Sequence, residues 1–322
     1  MPTHPGEIFY VNNATVLAKN GIGGSDGNDG TYHRPFATID YAVGRCTANR
    51  GDMVVVMPGY TQTISNATSI VIDVAGIKII GLGENNLKPV ISFSDTASNI
   101  PISADNVSIS NIKLLATVDS VVAGVTVSGA NCSLDIETAD TSAAIEFISA
   151  VVTEAAADNL RLKLRHRGFA AGNAMTRYVD VVGCRDAEID VDFFGIASTA
   201  VVNMRTTACD NVRVKGSFYN DSAALTKNVV NSTTATWSVE GYDAKAARHF
   251  AGSDDLAVHY IEPPIAIESA LGTDGTTVTD SATSVLGAIG ADSANNSFAS
   301  TSVAANEDGS VLERLEQIQE VV

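Results

Sequence analysis

The chain has 322 residues, 45% of them apolar, and a formal net charge of −17 from 37 acidic and 20 basic side chains. This length and apolar content predict a folded chain with one large core. The acidic balance argues against nucleic acid as a partner, because phosphate binding requires a concentrated basic surface. No apolar run approaches the ~20 residues that cross a bilayer, so no membrane association is expected.

The first residues lack the basic and apolar regions of a secretory signal, which predicts synthesis in a cytoplasm. The four cysteines form no CxxC pair, so neither a disulfide framework nor a zinc site is expected. We expect them to be small buried apolar residues, and the sequence predicts no metal and no cofactor. They are Cys46, Cys132, Cys184 and Cys209.

Residues 1–35 are predicted to be an N-terminal arm and loop. The stretch Gly23–Gly30 is rich in Gly and Asp, a composition that also occurs in calcium-binding loops. It lacks the terminal Glu of an EF-hand, so a polar turn leading into the next element is the favoured interpretation. Residues 36–49 then place Phe36, Ile39 and Val43 on one helical stripe, which predicts a helix that caps the first coil of a repeat structure.

The chain then repeats a short pattern of a polar turn residue followed by strict alternation of apolar and polar residues. The first apolar positions are Val107, Cys132, Leu160, Ala187, Val212 and Trp237, at spacings of 25, 28, 27, 25 and 25. A period of this length with alternation inside it predicts short strands stacked in parallel coils at ~4.8 Å. Residues 36–262 are therefore predicted to form a right-handed parallel β-helix of eight or nine rungs, about 40 Å long.

The aligned repeats predict which side chains face outward. The column that starts at Ser110 continues through Asp135, Lys163, Asp190, Lys215 and Glu240, so opposite charges alternate from coil to coil. Neighbouring side chains on stacked strands attract when their charges are opposite, so this alternation supports the alignment. Further strands are expected between the repeats, at 69–73, 90–93, 124–127, 144–148, 178–182, 200–204 and 228–230.

Two stretches resemble known proteins. The loop and helix that carry Asp26, Pro35 and Phe36, with Gly51 and Pro58 after them, resemble the opening of phage and pectate-lyase-like right-handed β-helix proteins. The resemblance implies the fold, and it is weak for function because these folds carry lyases, hydrolases, tailspikes and inert structural proteins. A stretch of about 40 residues at the C-terminus resembles a terminal module of several phage virion proteins, which implies a phage structural protein.

Residues 263–322 differ in composition and are predicted to be a linker rich in Ala, Ser and Thr followed by a helix. The helix would present one apolar stripe, and at ~12 residues it is marginal alone. Packing against sister chains is the favoured interpretation, and packing against its own β-helix is the alternative. The predicted oligomerisation residues are Val311, Leu312, Leu315 and Ile318.

Three basic residues, Arg161, Lys163 and Arg165, are predicted to share one outer face. An exposed strand balanced by acids is the favoured interpretation, and docking of an acidic partner is the alternative. A glycosidase would need two carboxylates in a groove. Most outward acids have a basic neighbour in their column, which leaves Asp180 and Asp192 as the first enzymatic candidates. The histidines show no ligand or triad spacing, so no catalytic residue is assigned.

These observations favour a structural component of a bacteriophage virion. The leading hypothesis is a homotrimeric capsid decoration (cement) protein on the outer capsid surface, which binds the major capsid protein through the N-terminal arm, the tail or the basic patch. The alternative is a tail fibre or tailspike subunit that binds host glycan. A polysaccharide lyase or hydrolase is the third hypothesis.

Overall fold

The computed structural model describes residues 6–14, 16–17, 21–205, 209–222, 228–231, 236–253 and 256–260. The chain divides into two units, Met1–Ile261 and Glu262–Val322, and all described residues belong to the first. The linker and the apolar stripe predicted for the C-terminal residues therefore lie outside the described residues.

The described residues form short strands and very little helix. The helix α1 is Ile39–Arg45, and a 3-10 turn spans Asn85–Leu87. The strands are β1 Ile8–Val11, β2 Val16–Leu17, β3 Gly21–Ile22, β4 Met53–Val56, β5 Thr61–Ile64, β6 Lys78–Gly81, β7 Val90–Phe93, β8 Ile100–Ile102, β9 Ser108–Ala116, β10 Val125–Val127, β11 Ser133–Asp140, β12 Ser149–Thr153, β13 Arg161–Arg167, β14 Met175–Val181, β15 Glu188–Gly195, β16 Ala197–Met204, β17 Val212–Asn220, β18 Val229–Asn231, β19 Trp237–Asp243, β20 Arg248–Ser253 and β21 Leu256–Tyr260.

The strands coil into a right-handed parallel β-helix, as predicted. It has about seven turns, whereas eight or nine rungs were expected. The long sheet stacks β1, β4, β6, β9, β11, β13, β15, β17 and β19 in parallel, and β20 and β21 add antiparallel strands after them. The short sheet stacks β8, β10, β12, β14, β16 and β18, also in parallel. From β9 to β18, each coil therefore contributes one strand to each sheet, with a corner between them.

The register of the long sheet is the one that the sequence columns predict. Asp135 pairs with Lys163, Lys163 with Asp190, and Asp190 with Lys215. The inward column pairs in the same register and is buried at every level, which makes it a continuous apolar stack. Its members are Val54, Ile79, Ile109, Leu134, Leu162, Ile189, Val214 and Val239. Complete burial of each such side chain contributes about 1.5–3 kcal/mol to folding.

The polar turn residue at the start of each repeat has a specific backbone role. Seven residues that each lie two positions before a strand residue of the long sheet share a positive φ of 53–80°. Glycine and asparagine adopt this left-handed conformation at the lowest cost, which explains why the repeat begins with them. They are Gly51, Gly76, Asn106, Asn131, Asn159, Asp186 and Asn211.

The N-terminal cap is present but smaller than predicted. The helix covers Ile39–Arg45 rather than residues 36–49, and Thr38 caps it by accepting a hydrogen bond from the Tyr41 N–H. The Asp26 carboxylate accepts from the Thr38 N–H at 3.0 Å, so the Gly/Asp loop positions the start of the helix. The buried side chains of the helix join the core above β1 and β4.

Some predicted boundaries were wrong. The N-terminal arm is partly built into the solenoid, since Ile8–Val11 pairs with Met53–Val56. The strand predicted at 144–148 lies at Ser149–Thr153, because the preceding residues form a corner loop. The strand predicted at 69–73 is a single bridge at Ile72. The strands of the short sheet are three to eight residues long and largely buried. Their sequences therefore show little alternation of apolar and polar residues, and their ends are hard to predict.

Candidate functional site

The predicted docking patch lies on the outer face of β13, and each of its three bases is ion-paired. Arg161 pairs with Glu188 of the following coil. Lys163 lies 3.4 Å from Asp135 of the preceding coil, and Arg165 lies 3.4 Å from Asp192 of the following coil. The patch is therefore part of a balanced ladder rather than an isolated positive surface.

We call the outward charged side chains of the long sheet the ladder face. Its bases are Lys78, Lys113, Arg161, Lys163, Arg165, Arg167, Arg213 and Lys215, and its acids are Asp135, Glu137, Glu188, Asp190, Asp192 and Glu240. Eight bases against six acids give this face a small positive excess on a protein of charge −17. Its charge therefore contrasts with that of the rest of the molecule.

A groove on the ladder face is lined by charged side chains of both signs, Glu137 among them. Glu137 lies 3.0 Å from the Lys88 ammonium and 3.7 Å from that of Lys113. Burial by itself would raise the pKa of Glu137, but the two ammonium groups outweigh it and hold that pKa below its usual range. The carboxylate is therefore ionised and engaged rather than available as a proton donor.

The two enzymatic candidates lie in different places and are both neutralised. Asp192 is on the ladder face, where a hydrogen bond from Arg167 and the charges of Arg167 and Arg165 lower its pKa. Asp180 belongs to the short sheet and is 2% exposed. Its carboxylate lies 3.6 Å from Arg177 and 3.0 Å from Arg205. The structure does not bring Asp180 and Asp192 together as a pair of free carboxylates.

A second charged region lies at the corner between the long and short sheets. We call it the corner pocket, and it contains Asp140, Glu146 and His166, with Phe169 at its exposed edge. Asp140 ends β11, His166 lies inward on β13, and Glu146 belongs to the loop before β12. The pocket thus combines a strand end, an inward strand position and a corner loop.

His166 is the buried polar residue at the inner wall of this pocket, and it is 1% exposed. Its Nδ1 lies 2.9 Å from the Thr138 hydroxyl, which also donates to the Tyr178 hydroxyl at 3.0 Å. The imidazole stacks on Phe193 with ring centroids 5.1 Å apart. The Thr138 hydroxyl therefore links the imidazole of His166 to the phenol of Tyr178 in one buried network.

The other imidazole nitrogen, Nε2, faces the carboxylate of Asp140 at 3.4 Å. The second carboxylate oxygen of Asp140 is buried and has no hydrogen-bond partner. Gly168 covers this contact, and a Cβ there would lie 2.5 Å from His166 Nε2. The close approach of His166 and Asp140 therefore depends on glycine at position 168.

Glu146 and Asp119 complete the acidic character of the corner. Burial, together with the nearby charges of Asp119 and Asp140, raises the pKa of Glu146 to about 7. Asp119 accepts hydrogen bonds from Ser120 and from Asn173, the latter at 3.3 Å. Among the ion pairs of the described residues, neither Glu146 nor Asp119 has a lysine or arginine partner.

The corner pocket was not predicted from the sequence, although the sequence contains a signal for it. In the alternation of β13, His166 occupies an inward position, with Thr138 and Phe193 as its neighbours in the same column. The two coils with spacings of 28 and 27 are also longer than the 25-residue coils that follow. In these two coils the loops 141–148 and 168–174 connect the long and short sheets, whereas one residue connects the two sheets in the next coil.

Aromatic side chains are exposed near the same corner. Phe169 is 43% exposed and Phe194 is 37% exposed. Phe194 stacks on Tyr219 with ring centroids 4.8 Å apart. The Gly168 N–H donates to the Phe194 carbonyl, which places both phenylalanines at one corner of the solenoid.

The described part of the chain holds no group of three or more His, Cys, Asp or Glu side chains placed to bind a metal ion. None of its helices is long and apolar enough to cross a membrane.

All four cysteines are free thiols, of which Cys132, Cys184 and Cys209 are buried, as predicted, and Cys46 is half-buried. Burial raises the pKa of the Cys184 thiol to about 12.

Comparison with known proteins gave no match. No family model, no curated protein and no solved structure is significantly similar to this chain.

Proposed function

We propose that this protein is a structural component of a bacteriophage virion, a capsid decoration (cement) protein that binds and stabilises the outer shell. The observation that carries the proposal is the ladder face. Its carboxylates are balanced by bases of neighbouring coils, so the solenoid is a rigid and chemically inert body. Nine parallel strands at ~4.8 Å give a body about 40 Å long, short for a receptor-binding spike.

The ladder face is also where the protein docks. It carries eight bases and six acids, whereas the remaining described residues carry nine bases and 19 acids. An acidic surface can therefore approach this face with less repulsion than it would meet from the remaining described residues taken together. The major capsid protein is the proposed partner, and the chain forms a homotrimer through its C-terminal apolar stripe.

The copy number and position of the protein in purified virions test this proposal. Hundreds of copies spread over the shell in a reconstruction support it, and a few dozen copies at the tail contradict it. Binding of the purified protein to shells that lack it tests the docking face. Lys163→Glu with Arg165→Glu should abolish binding, whereas Arg34→Glu, at an exposed ion pair outside the ladder face, should leave it unchanged.

A tail fibre or tailspike subunit that binds host glycan is the second candidate. The exposed aromatic residues Phe169 and Phe194 favour it, because aromatic faces at a surface corner can stack on sugar rings. Titration with the host surface polysaccharide tests it. Binding that is lost in Phe169→Ala and Phe194→Ala supports the glycan function, and the absence of binding rejects it.

A further inference from the structure

We propose that the corner pocket binds the ammonium group of a lysine side chain presented by another polypeptide. This inference rests on the pocket itself and does not depend on the proposed function, since any partner with an exposed lysine would satisfy it. Three independent features of the pocket support it.

The first feature is a buried carboxylate oxygen that lacks a partner. The Asp140 side chain is 7% exposed, and its Oδ1 makes no hydrogen bond while Oδ2 faces His166. A buried carboxylate oxygen without a donor costs about 1–3 kcal/mol or more. A ligand that donates hydrogen bonds into the pocket would remove this cost.

The second feature is uncompensated negative charge. On the ladder face, Asp135, Glu188 and Asp190 each lie beside a lysine or arginine of a neighbouring coil. Asp119 and Glu146 have no such base among the described ion pairs, and the repulsion between these carboxylates is one reason that the pKa of Glu146 is raised. A bound cation would supply the charge that the ladder face obtains from its own strands.

The third feature is the shape of the pocket. Its innermost space is about the size of one water molecule, which suits a compact ammonium group better than a planar guanidinium. Four apolar side chains line its walls, and they can cover the methylene stem of a lysine. They are Ile145, Phe169, Met175 and Ile196.

The pocket does not suit a chelated metal equally well. The described part of the chain places no three His, Cys, Asp or Glu side chains for one ion. Calcium usually takes six to eight oxygen ligands, many of them from the protein. An ammonium group needs only a few acceptors, which Asp140 and Glu146 can provide.

Titration of the full-length protein with Nα-acetyl-lysine-N-methylamide, followed by NMR of the Met175 methyl group and the Phe169 ring, tests this inference. We expect saturable shifts at both residues. The Nε-acetylated form of the same probe should give none, because it lacks the charge. Methylammonium should bind at least about fivefold more weakly, since it has no stem to pack on the walls.

Two variants locate the site. Glu146→Gln and Asp140→Asn should each weaken binding of the lysine probe by at least about fivefold. Asp190→Asn, an equivalent change on the ladder face, should have no effect. Glu146 is partly exposed and makes no side-chain hydrogen bond in the described structure, so Glu146→Gln should fold even if Asp140→Asn does not.

Three results would overturn the proposal. They are equal shifts from the acetylated and the free lysine probe, unchanged affinity in Glu146→Gln, and no shift of Met175 or Phe169 at saturating probe. None of these results would bear on the position of the protein in a virion, so failure here is distinguishable from failure of the proposed function.

Discussion

The ladder face and the corner pocket contain the same kinds of charged side chain in opposite arrangements. On the ladder face, Asp135 and Asp190 flank Lys163 in adjacent coils, and every carboxylate has a basic neighbour in a stacked coil or an ion pair. In the corner pocket, Asp140 and Glu146 lie beyond the regular strand, where the coils differ in length and no base is stacked on them. In this fold, therefore, a carboxylate is neutralised when the adjacent coil places a base beside it, and it stays uncompensated when the adjacent coil does not.

The largest expected effect is on stability, and it compares two adjacent phenylalanines of β15, one on the inner face of the sheet and one on the outer face. Phe193 is 1% exposed against His166, whereas Phe194 is 37% exposed on the outside. Phe193→Ala should lower the free energy of unfolding by about 3–5 kcal/mol, because it leaves a cavity behind the corner pocket. Phe194→Ala should cost less than about 1 kcal/mol. Urea denaturation of both variants checks this, and equal losses would contradict the assigned register.

The next effect compares the two acids that the sequence analysis singled out. Asp180→Asn should cost about 2–3 kcal/mol, since the buried carboxylate holds Arg177 and Arg205, and both of these can partly reach solvent. Asp192→Asn should cost at most about 1 kcal/mol, because its ion pairs are exposed. Thermal denaturation of the two variants under one set of conditions measures the difference. A larger loss for Asp192→Asn would reverse our assignment.

A charge reversal tests whether the ladder face is stabilised by alternation. Lys163→Glu places three acids in succession in one column and should cost about 1 kcal/mol at low salt. The loss should shrink at 1 M salt, where exposed charges are screened. Adding Asp135→Lys should recover part of the stability. A salt-independent loss would point to packing rather than to charge.

The smallest effect concerns the pH dependence of the corner pocket. The pKa of Glu146 rises from its ordinary value of 4.5 to about 7 on folding, so the folded state binds more protons than the unfolded state between these values. Stability should therefore fall as the pH rises from about 4.5 to about 7. Glu146→Gln should remove this slope and gain less than about 1 kcal/mol at pH 8, since solvent screens the partly exposed group. Melting temperatures across pH 4–8 measure it.

The fold was predictable because its physical signal repeats. The residues of an inward column, such as Leu134, Leu162 and Ile189, lie in the same environment in successive coils. One alignment of the repeats therefore predicts the register of the long sheet. The short sheet was predicted less well, and the strand at Ser149–Thr153 was misplaced. Its strands follow corner loops of different lengths, and a loop of eight residues hides where the next strand begins.

The candidate sites also include one that was predictable from the sequence and others that were not. The positions of Arg161, Lys163 and Arg165 on one outer face followed from alternation, and the structure adds that each is ion-paired. The corner pocket was missed because its members are distant in sequence and only two of them belong to strands of the repeat. The burial of Asp180 between two arginines was also not predictable, since Arg205 lies one coil beyond it.

The sequence by itself determined the β-helix, the register of its long sheet and the alternation of charge on its outer face. These properties depend on contacts between equivalent residues of successive coils, and such contacts recur with the period of the sequence. Only the tertiary structure decided which acids are neutralised and which are not. That outcome depends on corner loops of unequal length, where His166, Asp140 and Glu146 meet without any repeated spacing and where burial, rather than alternation, sets the charge state.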